Sequence, residues 1–369
     1  MRPPGLAPTP HPDPKAHLPA LTGLRFFLAA WVVLHHLTGR GMLLDAWSRG
    51  LPAAGDRFIR GGYLAVGTFF VLSGFVLARG YAGVRWNWRA LWRYGAARFA
   101  RIYPVYLLSL AIVAPFIAAE RVAGKAALVA DYGLLLQGWT GRLPVGWNTP
   151  AWSLSCEVFF YACFPAAVVF AAGMGWRRAA ALAGAACVLP PILMALGVPD
   201  MCKPVIHVAD FLMGMAAARV YDLLLAARGG MAGRGAWLYL PACGASAVLI
   251  ARPEMLGGAM VLNSALRPLN ALLLIGFALG GGVVARGLAT RVAVFLGKAS
   301  YALYILHVPL LWWYKRWEPH LFGRGAGTGA GFAFVAGATA VSAAVFRWLE
   351  EPANRKLRGW LAGRSAGVR

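Results

Sequence analysis

Apolar residues run along this chain in long blocks, separated by short polar stretches rich in arginine. A helix that crosses a bilayer needs ~20 predominantly apolar residues. Ten stretches approach that length: 19–38, 62–79, 102–119, 154–174, 178–196, 204–226, 236–251, 259–281, 294–314 and 327–347. The pattern predicts an all-α integral membrane protein, a bundle of about ten transmembrane helices. An eleventh stretch, 126–139, is brief and carries Asp131. It reads as interfacial or re-entrant, because a full crossing there would throw the Arg177/Arg178 pair to the outer side.

Basic residues orient the bundle, since loops rich in Lys and Arg stay in the cytoplasm. Arg79, Arg85, Arg89, Arg93, Arg98 and Arg101 follow the second span with no acidic residue among them. That loop should be cytoplasmic, as should both termini. With ten spans, Arg177/Arg178, Arg228/Arg234, Arg286/Arg291 and the tail residues Arg355, Lys356 and Arg358 fall on the same side. Two segments resist the scheme. The outer loop 39–61 holds four Arg against two Asp, and 315–324 carries Lys315, Arg316 and Arg324.

Composition supports the bilayer. Hydrophobic residues make up 60% of the 369 and charged residues only 13%, about half the charged share of a soluble domain. A water-facing surface cannot absorb so much apolar side chain. The net charge of +23 suits anionic headgroups or an anionic cosubstrate; no nucleic-acid module is present. The five cysteines have no metal-ligand spacing, so neither a disulfide nor a bound metal is expected. Residues 1–17 are rich in Pro and lack the apolar core of a signal peptide, predicting a disordered tail. Residues 353–369 read as a basic cytoplasmic tail, with no second soluble domain after it.

Ionisable residues inside apolar spans are the candidates for chemistry, because lipid makes them costly unless they face a polar cavity. Arg25 and His36 lie eleven residues apart in the first span, ~16 Å along one helix face. They could line a cavity, or Arg25 could snorkel inward while the histidines sit at the outer interface. Glu157 enters the fourth span at about the depth of His36, within Trp152-Ser153-Leu154-Ser155-Cys156-Glu157. A carboxylate there could orient an imidazole, or be a hydrogen-bonded structural group. Arg98 and Arg101, three apart on one helix face, could hold a phosphate or simply anchor the span. Asp210 and Arg267 enter from the outer side and could pair. Gly74 reads as a small-residue helix contact.

These segments together resemble the acyltransferase-3 family of membrane O-acyltransferases, over Leu21 to Pro352 of a domain taken as 18–352. The arginine-then-histidine pattern falls on Arg25 and His36, FFVLSGF on Phe69–Phe75, and RxxRIYP on Arg98–Pro104. WSLSxE falls on Trp152–Glu157, SYxLYxxHxP on Ser300–Pro309, and the closing ExP on Glu350–Pro352. Gly67 stands where the family often has Asp or Ser. The resemblance implies transfer of an acyl group, often acetyl, from cytoplasmic acyl-CoA to a hydroxyl of a sugar, glycolipid, glycan or natural product, at the cell inner membrane. It implies a catalytic His36 supported by Glu157 and Arg25, with CoA held by Arg98, Arg101 and Tyr103. Asn148, Trp152, Ser153, Ser155, Tyr161, Ser300, Tyr301 and His307 would bind substrate or brace the site. A proton-coupled transporter or flippase is the rival reading, with the buried charges as a proton relay.

Overall fold

The computed structural model describes residues 18–121, 123–142, 147–171, 173–197, 202–227, 231–256, 259–322 and 327–364. The tail expected over 1–17 lies outside them. The architecture is all-helical, with no strand among the described residues. A helix occupies each of the ten apolar stretches: α1 (Pro19–Leu37), α2 (Ala65–Gly80), α3 (Trp88–Ala119), α4 (Trp152–Ala171), α5 (Trp176–Ala195), α6 (Lys203–Ala226), α7 (Ala236–Ala251), α8 (Ala259–Leu279), α9 (Arg291–Phe322) and α10 (Thr328–Val345). An eleventh, α11 (Glu351–Arg364), closes the chain.

Among the described residues, seven helices are long and apolar enough to cross a membrane. The three outside that set are α5, α6 and α7. The α7 helix has sixteen residues, short for a crossing. The α6 helix packs against α2, α4, α5 and α8, and it carries Lys203, His207, Asp210, Arg219 and Asp222. A helix enclosed by other helices can face its polar groups inward, so uniform apolarity is not required of it.

One departure from the sequence pattern has a local cause, and one expectation takes a definite form. The basic segment before the third span is continuous with it: α3 runs unbroken for 32 residues through Pro104 and Pro115. Its start is fixed by the Asn87 side chain, which accepts a hydrogen bond from the Ala90 N–H at 2.9 Å. The 126–139 stretch forms two short helices, Lys125–Gly133 and Gln137–Thr140, interrupted at Leu135 with φ 58°. Neither can cross a bilayer.

Close helix contacts set the bundle's centre. Gly74 of α2 and Gly214 of α6 face each other, and a Cβ on either would run into the carbonyl oxygen of Phe211 or Val71. The absent side chains let the two backbones meet. On the opposite flank α9 packs along α1, where a Cβ on Gly297 would strike the Thr22 carbonyl. These two pairs hold α1, α2, α6 and α9 around the polar interior.

The basic 39–61 loop, anomalous by charge, has three of its four arginines in ion pairs. Asp45 accepts from the Gly41 N–H at 2.9 Å, from Arg49 at 2.7 and 3.0 Å, and from Arg60 at 2.9 Å. Arg60 also binds Asp56 at 2.7 Å and the Thr38 carbonyl, and Arg57 meets Glu254 at 3.2 Å. Loop charges satisfied by one another carry little topological weight.

Candidate active site

Three cavities follow one another through the bundle, named outer, middle and inner after the orientation expected from the sequence. The outer one, about 520 Å³, is lined by His35, His36, Trp152, Lys203, His207, Asn263, Arg267 and Tyr304, with Val66 and Gly67. A narrow middle chamber of about 40 Å³ is bounded by Arg25, Glu157, Ser153, Ser300, Tyr301 and Tyr304, with Val66, Phe69, Phe70 and Leu154. The inner cavity, about 690 Å³, is lined by Arg25, Arg98, Arg101, Lys298, Glu350, Glu351 and Arg355. Val66 and Tyr304 border both the outer and middle spaces, and Arg25 borders both the middle and inner ones. Shared walls make this one interrupted path.

The first helix supplies both ends of that path, as its spacing requires. Arg25 makes no hydrogen bond or ion pair among the described residues, and its Nε is buried without a partner. A buried guanidinium N–H left unpaired is costly, so Arg25 holds a donor with room for an acceptor oxygen. At the other end, His36 Nδ1 lies 2.9 Å from the Val32 carbonyl and 3.2 Å from His307 Nε2. The neighbouring His35 is tied to the outer loop through its Nδ1, 2.5 Å from the Arg60 carbonyl.

Glu157 does not sit beside His36. It lies five residues into α4 beyond Trp152, hence ~7.5 Å deeper, and borders the middle chamber with Arg25. Its Oε2 accepts a hydrogen bond from the Tyr161 hydroxyl at 2.9 Å, and no described hydrogen bond joins it to His36. The imidazole has His307 as its side-chain neighbour instead.

At the inner end the expected pair divides. Arg101 is bound to the buried Glu350 and lies 4.9 Å over the Tyr301 ring. Glu350 reaches it from a π-helical turn, Phe346–Glu350, between α10 and α11. Arg98 sits between the Tyr94 and Tyr161 rings, at 5.9 and 5.6 Å, with its Nε buried and unpartnered. Tyr103 stacks on Phe99 at 4.3 Å and lines a lateral groove that borders the inner cavity through Arg98. Lys298 and Arg355 line the inner cavity in its place. Their sequence signal was only a lysine and an arginine beside spans, indistinguishable from anchoring charges.

The supporting residues divide into wall and frame. Trp152 faces the outer cavity, its ring 5.3 Å from that of His207. Ser153 Oγ lies 2.9 Å from the Tyr304 hydroxyl and donates to the Pro150 carbonyl at 3.0 Å. Asn148 donates to Ser109 Oγ and to the Ile305 carbonyl, both at 2.9 Å. Ser155 accepts from the Gly138 N–H at 3.1 Å. Ser300 donates to the Gly297 carbonyl, and Tyr301 to the Ile102 carbonyl. Asn148 and Ser155 are frame, because their bonds turn away from the cavities.

Asp210 and Arg267 do pair, at 2.7 Å, and Asp210 also holds His207 Nδ1 at 2.8 Å. His207 was missed in the sequence, although a histidine three residues before an acid on one helix face is a recognisable signal.

An all-helical bundle with several membrane-length helices, a cation-lined cavity and a histidine-lined one defines a multi-pass membrane protein with a polar interior. The chain belongs to the acyltransferase-3 family: the family model, described as an acyltransferase domain, matches residues 18–348. Among curated relatives it is 38% identical over 165 residues to "Acyltransferase MdmB" of Streptomyces mycarofaciens, covering 42% of this chain and 40% of that protein. It is 40% identical over 75 residues to "Protein 2 in picA locus" of Rhizobium radiobacter, covering 20% of this chain and 39% of that one. The matched region thus spans about two fifths of either relative. No solved structure matches the chain.

Proposed function

We propose that this protein is a membrane O-acyltransferase that moves a short acyl group, acetyl above all, from cytoplasmic acyl-CoA to a hydroxyl acceptor. The observation that carries the reading is the shared walls of the three cavities, with Arg25 at one junction and Tyr304 at the other. The family membership and the name of the Streptomyces relative support acyl transfer.

In this reading the ten helices over the apolar stretches all cross the inner membrane and both termini are cytoplasmic. The CoA phosphates rest against Arg98, Lys298 and Arg355, while Arg101 is held by Glu350. The pantetheine arm passes Arg25 and sets the thioester in the middle chamber. About 40 Å³ holds roughly three water-sized groups, the size of an acetyl. The acceptor, a sugar, glycolipid or natural product, lies in the outer cavity beside Trp152.

His36 takes the acceptor's hydroxyl proton, and the oxygen attacks the thioester carbonyl. Arg25 supplies the N–H that the carbonyl oxygen needs as it gains negative charge. The carbon–oxygen bond forms, the carbon–sulfur bond breaks, and the departing CoA thiolate recovers the proton. Glu157, bonded to Tyr161, carries protons between chamber and cavity. A proton-coupled transporter would use the same buried charges but would not need a cationic donor cavity.

Purified protein in nanodiscs, given acetyl-CoA and cell-envelope or macrolide acceptors, should release free thiol and yield an acceptor heavier by one acetyl in mass spectrometry. No thiol release with any acceptor, alongside acceptor movement across sealed vesicles, would replace this reading with transport.

A further inference from the structure

The His36–His307 contact determines which imidazole nitrogen can act as a base. His307 Nδ1 lies 2.7 Å from the Tyr304 carbonyl oxygen and 3.3 Å from that of Leu303. Carbonyl oxygens only accept hydrogen bonds, so His307 Nδ1 carries a hydrogen. His36 Nδ1 faces the Val32 carbonyl at 2.9 Å and carries one for the same reason. The two rings then meet across 3.2 Å between His36 Nδ1 and His307 Nε2. A hydrogen on His307 Nε2 would meet that N–H with no lone pair to receive it. His307 Nε2 therefore presents its lone pair, His307 is neutral, and the single His36 Nδ1–H is shared between it and the Val32 carbonyl.

From this geometry we infer that His307 is a positioning residue that locks His36 in the Nδ1–H tautomer, leaving Nε2 as the basic nitrogen of that ring on the side of the outer cavity. The inference rests on the proposed role of His36 and deepens it. The Nε2 atom makes no hydrogen bond among the described residues, and His36 lines the cavity. When Nε2 takes a proton, the ring becomes an imidazolium whose Nδ1–H already points at a lone pair. A base whose second nitrogen is held by a fixed acceptor keeps its tautomer and orientation. A carboxylate commonly fills that place, and Glu157 would have been the obvious choice; here a buried neutral imidazole does so. His307 is itself pinned by two backbone carbonyls of its own helix, so the alignment passes from the α9 backbone to the base.

The test reads the tautomers directly. Full-length protein labelled with 15N-histidine is reconstituted in nanodiscs, and its seven histidines are assigned from single His→Gln variants. Imidazole 15N shifts should show Nδ1 protonated and Nε2 unprotonated in both His36 and His307. A His36 protonated only at Nε2, or a His307 protonated at Nε2, overturns the assignment whatever the activity. In acetyl-CoA consumption, His307→Phe should lower kcat about 10–100-fold, the scale seen when an imidazole loses its orienting partner, with the donor KM unchanged. His307→Gln, whose side-chain oxygen can accept from Nδ1–H, should restore most of that loss. A His307→Phe enzyme as fast as wild type, or a folded Gln variant no faster than Phe, removes the positioning role. Turnover surviving His36→Ala would instead defeat the catalytic reading while leaving the tautomers as assigned.

Discussion

The inner and outer cavities sit on the same first helix and solve opposite problems. The inner one gathers cations, Arg25, Arg98, Arg101, Lys298 and Arg355, of which Arg101 is the one ion-paired among the described residues, through Glu350. The outer one is lined by imidazoles and aromatic rings; its Arg267 is paired with Asp210 and its Lys203 lies 6.0 Å over the Trp152 ring, while the loop residues Arg49, Arg57 and Arg60 are paired with Asp45, Asp56 and Glu254. An unpaired guanidinium invites an anion from outside the protein, whereas a paired one is scaffold. In the proposed function, that difference suits one end to binding charge and the other to moving a proton.

If that division holds, substitutions at the two ends should separate in kinetics. The largest effect should come from His36→Ala, about 10²–10⁴ in kcat, the contribution of general-base catalysis, with the donor KM near wild type. Steady-state thiol release checks it, and retained turnover would take His36 out of the mechanism.

Arg98→Ala should act the other way, raising the acyl-CoA KM about tenfold, or ~1.4 kcal/mol, for one lost charged hydrogen bond, with little change in kcat. An unchanged KM assigns Arg98 to anchoring and breaks the contrast.

The smallest effect concerns the outer loop, outside the membrane-spanning segments. The Gly41 N–H, with Arg60 and Arg49 beside it, holds the Asp45 carboxyl well below the ordinary carboxylate range. A depressed carboxylate contributes stability above its unfolded pKa of ~3.9 and loses it as pH falls through the lower folded value. Protease nicking within 39–61 should therefore stay constant from pH 7 to about 5 and rise only below about 4. Asp45→Asn should raise nicking across the whole range. Acid sensitivity beginning near pH 6 would place the loop's control with a histidine instead.

How legible all this was in the sequence differs residue by residue. Ten apolar blocks yielded ten helices because lipid demands internal backbone hydrogen bonding of any crossing segment. That Arg25 and His36 share a face followed from helical spacing alone. The depth of Glu157 did not, because a residue's level depends on where its helix begins, and α4 opens at Trp152 in the outer cavity wall. His307 was visible as a histidine in a span, but nothing local said that it would meet a residue 271 positions away.

Composition and periodicity by themselves determined the solvent, the helical class and the costly buried groups, since each follows from short-range rules of burial and hydrogen bonding. Only the tertiary structure decided the partners: His307 rather than Glu157 for His36, Glu350 for Arg101, and, among the described residues, no hydrogen-bonding group for Arg25. Partnership depends on how helices distant in sequence pack, and that packing is set by contacts such as Gly74 on α6 and Gly297 on α1, which one-dimensional spacing cannot carry.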